Sequence, residues 1–297
     1  MSPSIALQLT AFGLVWGGLY ALTAHGLNLI YGVMKVLNIA HGEFLMLGAY
    51  ITFWLLTLWG IDPLLSLLVV LPVLFLFGAV VYRAVVHPLL GASGGSILML
   101  EKSTLIAFFG VLMVVQNGAL LLWTGNYRVV EYLGEPIHLG PVALAANRLV
   151  VLAAAIVVSV LLHLFLHHTF TGKAIRAISQ DREAGMLMAV DASRIALISF
   201  GLGAAIGGLA GGLVALIYVI TPTMGILFTV KAFTVMVVGG LGRVMGTLGA
   251  GLALGVAEAW GSFLLGEGYR EAIDYVLLVG IILLVSHGIL RGGRVSA

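Results

Sequence analysis

The sequence predicts an all-α fold, a polytopic bundle of transmembrane helices, and three observations carry that prediction. Hydrophobic residues make up 61% of the 297 and charged residues 9%, where a soluble chain carries about 25% charged residues. Mean hydropathy is +1.17. The apolar runs are long enough, at about 20 residues, to cross a hydrocarbon core as helices, and they lack the period-2 alternation of barrel strands. A water-soluble fold and a β-barrel are both excluded.

In chain order the runs lie near 5–33, 37–59, 64–86, 104–124, 148–168, 195–219, 226–241, 244–265 and 272–290, about nine spans in one transmembrane domain covering residues 1–297. The first ten residues have no basic n-region and lead straight into an apolar run, so a first span is expected there and not a cleavable signal peptide. An odd span count puts the termini on opposite sides, and the Lys/Arg bias selects the orientation. With the C-terminus inside, the inner segments hold Lys35, Arg83, Lys102, Lys173, Arg176, Arg182, Arg194, Arg243, Arg291 and Arg294. The outer loops then hold only Arg128, Arg148 and Arg270. The expected topology is N-terminus outside, C-terminus in the cytoplasm. The net charge of +2 comes from these loop cations and gives no support for nucleic-acid binding. Cysteine is absent, which removes disulfides, thiolate metal sites and Cys nucleophiles.

Two connections are long: 125–147 outside, with Pro136 and Pro141, and 169–194 inside. From Gly172 to Arg194 the inner one alternates apolar and charged residues at helical spacing, which predicts a short amphipathic helix at the cytoplasmic surface. Read alone, it is a surface linker held against lipid headgroups by Lys173, Arg176 and Arg182.

Polar residues inside apolar runs are the candidate functional groups, because ionisable side chains at membrane depth face a bundle interior or a water-filled path. Tyr31–Tyr50 carries Asn38, His41 and Glu43. The interval from Gly32 to Gly42 is either a break between half-helices or an interfacial turn in which Asn38 caps a helix whose first turns hold Glu43. Met224–Gly261 embeds Lys231 and Glu258 in glycine-rich sequence that reads as a hairpin with a packing face, including Gly242, Gly246 and Ala250 and the pair Gly251 and Gly255. Lys231 reads as a snorkelling residue near the outer surface, the alternative being a buried charge paired with Glu258 or Glu43. Asn38, His41, Glu43, Lys231 and Glu258 are thus the candidate translocation or gating residues.

Several chemistries find no support. No G-x-x-x-x-G-K-[ST] loop occurs, so the chain alone binds no nucleotide by that route, and H-E-x-x-H is absent. His41 and Glu43 at i and i+2 share no helical face for a metal. The G-x-S-G tetrapeptide at Gly91–Gly94, with Ser93, matches rhomboid-type proteases but sits in a loop between spans, and His163, His167 and His168 cluster at one helix end.

Three stretches together resemble the LivH-type permease subunits of the hydrophobic-amino-acid-uptake family of ABC importers: GLYALTAHGLNLIYGVMKVLNIAHGEFLMLGAY, RAISQDREAGMLMAVD and VKAFTVMVVGGLGRVMGTLGAGLALGVAE. The resemblance implies a permease without catalytic residues or a cofactor of its own. It implies as partners a second permease of the LivM type, two ATPase subunits using ATP and Mg, and a periplasmic solute-binding protein, assembled in the bacterial inner membrane. It makes Gly172–Asp191 the segment that docks on an ATPase, with Arg176, Ser179, Asp181, Arg182, Glu183 and Ala184 at the contact. The implied solutes are branched-chain amino acids or related small polar molecules. His25, Ile39 and Ser286-His287-Gly288 depart from the family's usual residues and leave the solute open. The rival reading is a stand-alone channel, since N-I-A-H at a half-helix start is superficially like an aquaporin triplet, although no second N-x-A follows a span.

Overall fold

The computed structural model describes residues 3–92 and 97–286. Among these the chain forms helices α1 (Pro3–Met34), α2 (His41–Trp59), α3 (Pro63–Val81), α4 (His87–Ala92), α5 (Ile97–Trp123), α6 (Ala146–His168), α7 (Phe170–Gln180), α8 (Arg182–Leu187), α9 (Ala192–Val214), α10 (Met224–Gly239), α11 (Val244–Leu265) and α12 (Arg270–Ser286). A π-helical segment, Tyr82–Val86, joins α3 to α4, and a 3-10 turn, Glu267–Tyr269, leads into α12. Each of the nine apolar runs contains a helix among the described residues, although the second becomes helical only at His41, and the protein is an all-α polytopic membrane protein. Among the described residues seven helices are long and apolar enough to span a membrane, while Met224–Gly239 is shorter. At 16 residues α10 is about 24 Å long, below the roughly 30 Å of a hydrocarbon core. Ser93 and Gly94 of the G-x-S-G tetrapeptide, together with His287, Gly288, Arg291 and Arg294, lie outside the described residues.

Two helices form the centre. Gly17–Ile30 of α1 and Gly203–Leu216 at the end of α9 are buried without interruption. α1 packs against α11, α9, α10 and α6, and α9 against α3 and α2. Large apolar side chains on α3, α5, α6 and α12 point outward, among them Leu68, Ile106, Val114, Leu161 and Val276, as a lipid-facing surface requires. The α1–α11 contact depends on glycine. A methyl group on Gly255 would stand 2.2 Å from the Gly13 carbonyl oxygen, so the expected packing face is one that lets two backbones touch.

The inner connection differs from the single amphipathic helix expected. It is two helices broken at Asp181, whose backbone is extended (φ −148, ψ 113) and whose carboxylate accepts from Ala184 N at 3.0 Å to cap α8. A short acidic side chain that can satisfy the orphan N–H groups of a new helix competes with continuing the old one. Thr169 and Asp191 cap α7 and α9 in the same way.

The outer connection, expected as a loop, contains a small antiparallel hairpin, β1 (Pro136–Leu139) with β2 (Val142–Ala145). Gly140 takes the left-handed conformation at its turn (φ 63), as two-residue hairpin loops need. Gln8 of α1 clamps the hairpin, donating to Ala143 O at 2.6 Å and accepting from Ala143 N at 2.9 Å.

Candidate translocation and coupling sites

The chain breaks between α1 and α2, and the break lies deep. His41 Nε2 is 3.0 Å from the Thr23 carbonyl oxygen, and Thr23 sits about three turns, roughly 16 Å, before the end of α1. Residues 35–40 therefore run back into the bundle before α2 starts. Asn38 is buried and turned toward its own chain, with Oδ1 accepting from Ala40 N at 3.0 Å. It does not cap α2, whose N-cap is Ala40, without a side-chain bond. The His41 ring fills the space that glycine leaves at Gly26 and Gly207.

Glu43, 1% exposed, lies in the first turn of α2 against Gly225 at the start of α10. Gly42 N donates to Thr229 Oγ1 at 2.8 Å, and Thr229 in turn donates to Gly225 O at 3.0 Å. A methyl on Gly42 would lie 1.8 Å from the Gly225 carbonyl oxygen, so the beginnings of α2 and α10 meet backbone to backbone. Both helices present their positive ends there, which favours a carboxylate in the position Glu43 occupies. Among the described residues Asn38 Nδ2, His41 Nδ1 and Glu43 Oε2 have no hydrogen-bond partner.

Lys231 is not a snorkelling residue. Its ammonium pairs with both Glu258 and Asp274 and sits 4.8 Å over the Tyr20 ring. Tyr20 donates to Glu258 Oε2 at 2.5 Å, and Arg270 reaches Glu258 Oε1 at 3.5 Å while lying 4.9 Å over Trp16. Of the two partners proposed for Lys231 the structure supplies Glu258 and not Glu43. Asp274, Arg270 and Tyr20 escaped the sequence reading because Asp274 and Arg270 open the last helix and look like interfacial charges.

The α7–α8 segment divides the predicted coupling residues. Asp181, Arg182, Glu183 and Ala184 are exposed together around the start of α8, whereas Arg176 and Ser179 are half-buried on α7. Gly172, Ala174, Ile175 and Ile178 form the buried face of α7. At the end of α8 the apolar side chains of Leu187 and Met188 are 87% and 80% exposed. The signal for them was present: three large apolar residues, Met186 to Met188, within a charged segment too short to span.

Other buried polar contacts hold helices together. His25 Nε2 is 2.8 Å from Ser159 Oγ. Asn28 donates to Thr247 Oγ1 at 2.8 Å and accepts from Gly242 N at 2.7 Å, fixing the α10–α11 turn to α1. At the hairpin end, a cavity of about 820 Å³ opens between Val129–Glu135, Asn147, Arg148 and Ala215–Val219. Among the described residues no group of three or more His, Cys, Asp or Glu is placed to hold a metal ion.

A membrane-embedded bundle whose buried polar groups lie at helix breaks and interhelical contacts, with a short helical pair linking two of its long apolar helices, has the layout of a transport permease. The chain belongs to the family described as branched-chain amino acid transport system, permease component, whose model matches residues 9–286. It is a non-catalytic transport component. It is 32% identical over 300 residues to BraD of Pseudomonas aeruginosa, a high-affinity branched-chain amino acid transport permease, covering 96% of this chain and 95% of that one. LivH of Escherichia coli (strain K12), described likewise, is 28% identical over 304 residues with the same coverage. FrcC of Rhizobium meliloti, a fructose import permease, is 23% identical over 95% of this chain and 82% of its own. No solved structure matches the chain.

Proposed function

We propose that this protein is one permease half of an ATP-driven importer in the bacterial inner membrane, passing branched-chain amino acids or related small polar solutes by alternating access. The observation that carries this reading is similarity to BraD and LivH over nearly the whole of both chains. Its partners are a LivM-type permease, two ATPase subunits and a periplasmic binding protein. All nine apolar runs belong to one transmembrane domain, seven of them as helices long enough to span, with the N-terminus outside and the C-terminus in the cytoplasm. The exposed start of α8 and the Leu187–Met188 tip dock on an ATPase, an apolar knob with a charged collar suited to a groove. Asn38, His41 and Glu43 belong to the path, which is shut where Gly42 meets Gly225. Similarity to a fructose permease supports placing solute choice outside the shared framework.

The test is purification from the source membrane. ATPase subunits should travel with the chain, and uptake into liposomes should require ATP. Solute flux without any ATPase present would overturn the reading. Reversing the charges of Arg176 and Arg182 should uncouple or release the ATPases while the bundle stays folded, as followed by co-purification and thermal melting.

A further inference from the structure

Where the end of α1, helix α7 and the α10–α11 turn come together, the chain encloses a pocket of about 220 Å³ lined by Lys35, Arg176, Ser179, Gln180 and Arg243, with Gly32 and Gly242 among its walls. Three basic residues line one cavity, Lys35 with its ammonium also 5.7 Å from the centre of the Tyr31 ring, and no acidic side chain lines it. Among the described residues none of the three is paired with a carboxylate. The neighbouring acid, Asp181, is occupied capping α8.

Two further features point to a ligand. Lys35 ends α1 in the left-handed conformation (φ 55), a position at which glycine costs nothing and lysine is strained, so the side chain is kept at a local cost. The volume is below the roughly 300–1,000 Å³ of sites for drug-sized molecules and suits a small, compact anion. The pocket also lies where spans end, the level at which basic pockets meet phospholipid headgroups.

We propose that Lys35, Arg176 and Arg243 bind one phosphate-bearing anion, the headgroup of an anionic phospholipid or a free phosphate, which ties α7 to the end of α1 and to the α10–α11 turn. The proposal uses the membrane setting but not the importer reading. Its test reads binding and not uptake, so either can fail alone.

The experiment uses the complete transporter purified from its own membrane. Anionic phospholipid retained after detergent washing is measured by mass spectrometry, and delipidated transporter is titrated with inorganic phosphate by calorimetry at fixed ionic strength. Lys35→Gly removes a charge where the backbone favours glycine, so its melting temperature should match or exceed that of the parent; Arg243→Gln is the second variant. Retention of phosphatidylglycerol or cardiolipin that falls about tenfold in both variants, with no phosphate heat, assigns the lipid. Phosphate heat that both variants lose assigns free phosphate. Retention and heats equal in parent and variants overturn the proposal. So does binding that appears only once the ATPases are stripped away, because the pocket is then filled by a protein partner.

Discussion

Two of the places where the protein buries polar groups treat them oppositely. Around Lys231 two cations and two carboxylates interlock, with Tyr20 donating into the same cluster, and Asp274 Oδ1 is the one oxygen left over. At the start of α2, Asn38, His41 and Glu43 each keep a buried polar atom without a partner among the described residues, at a cost of about 1–3 kcal/mol for each such group. Charge at depth is structural where it is compensated. Where it is not, the fold sustains a cost that packing does not return, which is the pattern of a functional site.

That contrast breaks most readily at Lys231. Lys231→Ala leaves Glu258 and Asp274 buried without their shared ammonium and should destabilise the bundle by about 3–5 kcal/mol, read as a fall in folded yield and melting temperature in detergent. The triple change Lys231→Met, Glu258→Gln and Asp274→Asn should regain much of that loss, since no buried carboxylate is then left without its cation. No recovery would mean that the cluster does more than neutralise itself.

Gly42→Ala comes next, at about 1–3 kcal/mol, because its methyl would collide with the Gly225 carbonyl. Gly249→Ala, where a methyl meets nothing within 4 Å, should be neutral to within about 0.5 kcal/mol. Glu43→Gln keeps shape and burial and should shift stability by less than about 1 kcal/mol while lowering ATP-driven uptake about tenfold. A melting loss as large as that of Lys231→Ala would place Glu43 with the structural group instead. Leu187→Asp should have the smallest effect on the melt, within about 0.5 kcal/mol, yet reduce ATPase co-purification. An unchanged complex would remove the α8 tip from the interface.

Much of this was legible in the sequence. The helical runs follow from length and apolarity, since lipid leaves the backbone no other partner, and Asn38, His41 and Glu43 were conspicuous as polar residues among apolar ones. The partners of those groups were not legible. Glu258 lies 27 residues from Lys231, but Asp274 and Tyr20 come from α12 and α1, and only tertiary packing brings them together. The break at Asp181 was missed because helical periodicity continues through it, and capping competes with continuation at a level that periodicity does not register. The hairpin at 136–145 was missed because four-residue strands give too short an alternation to read.

Helix α10 begins at Met224, sets Gly225 against Gly42, and ends at the glycine turn that Asn28 holds beside the basic pocket and α7. A single rod of about 24 Å thus links the start of α2 to the basic pocket beside α7. Lys231, near its middle, ties it to α11 and α12 through Glu258 and Asp274, so a push along its axis at the turn also loads that cluster.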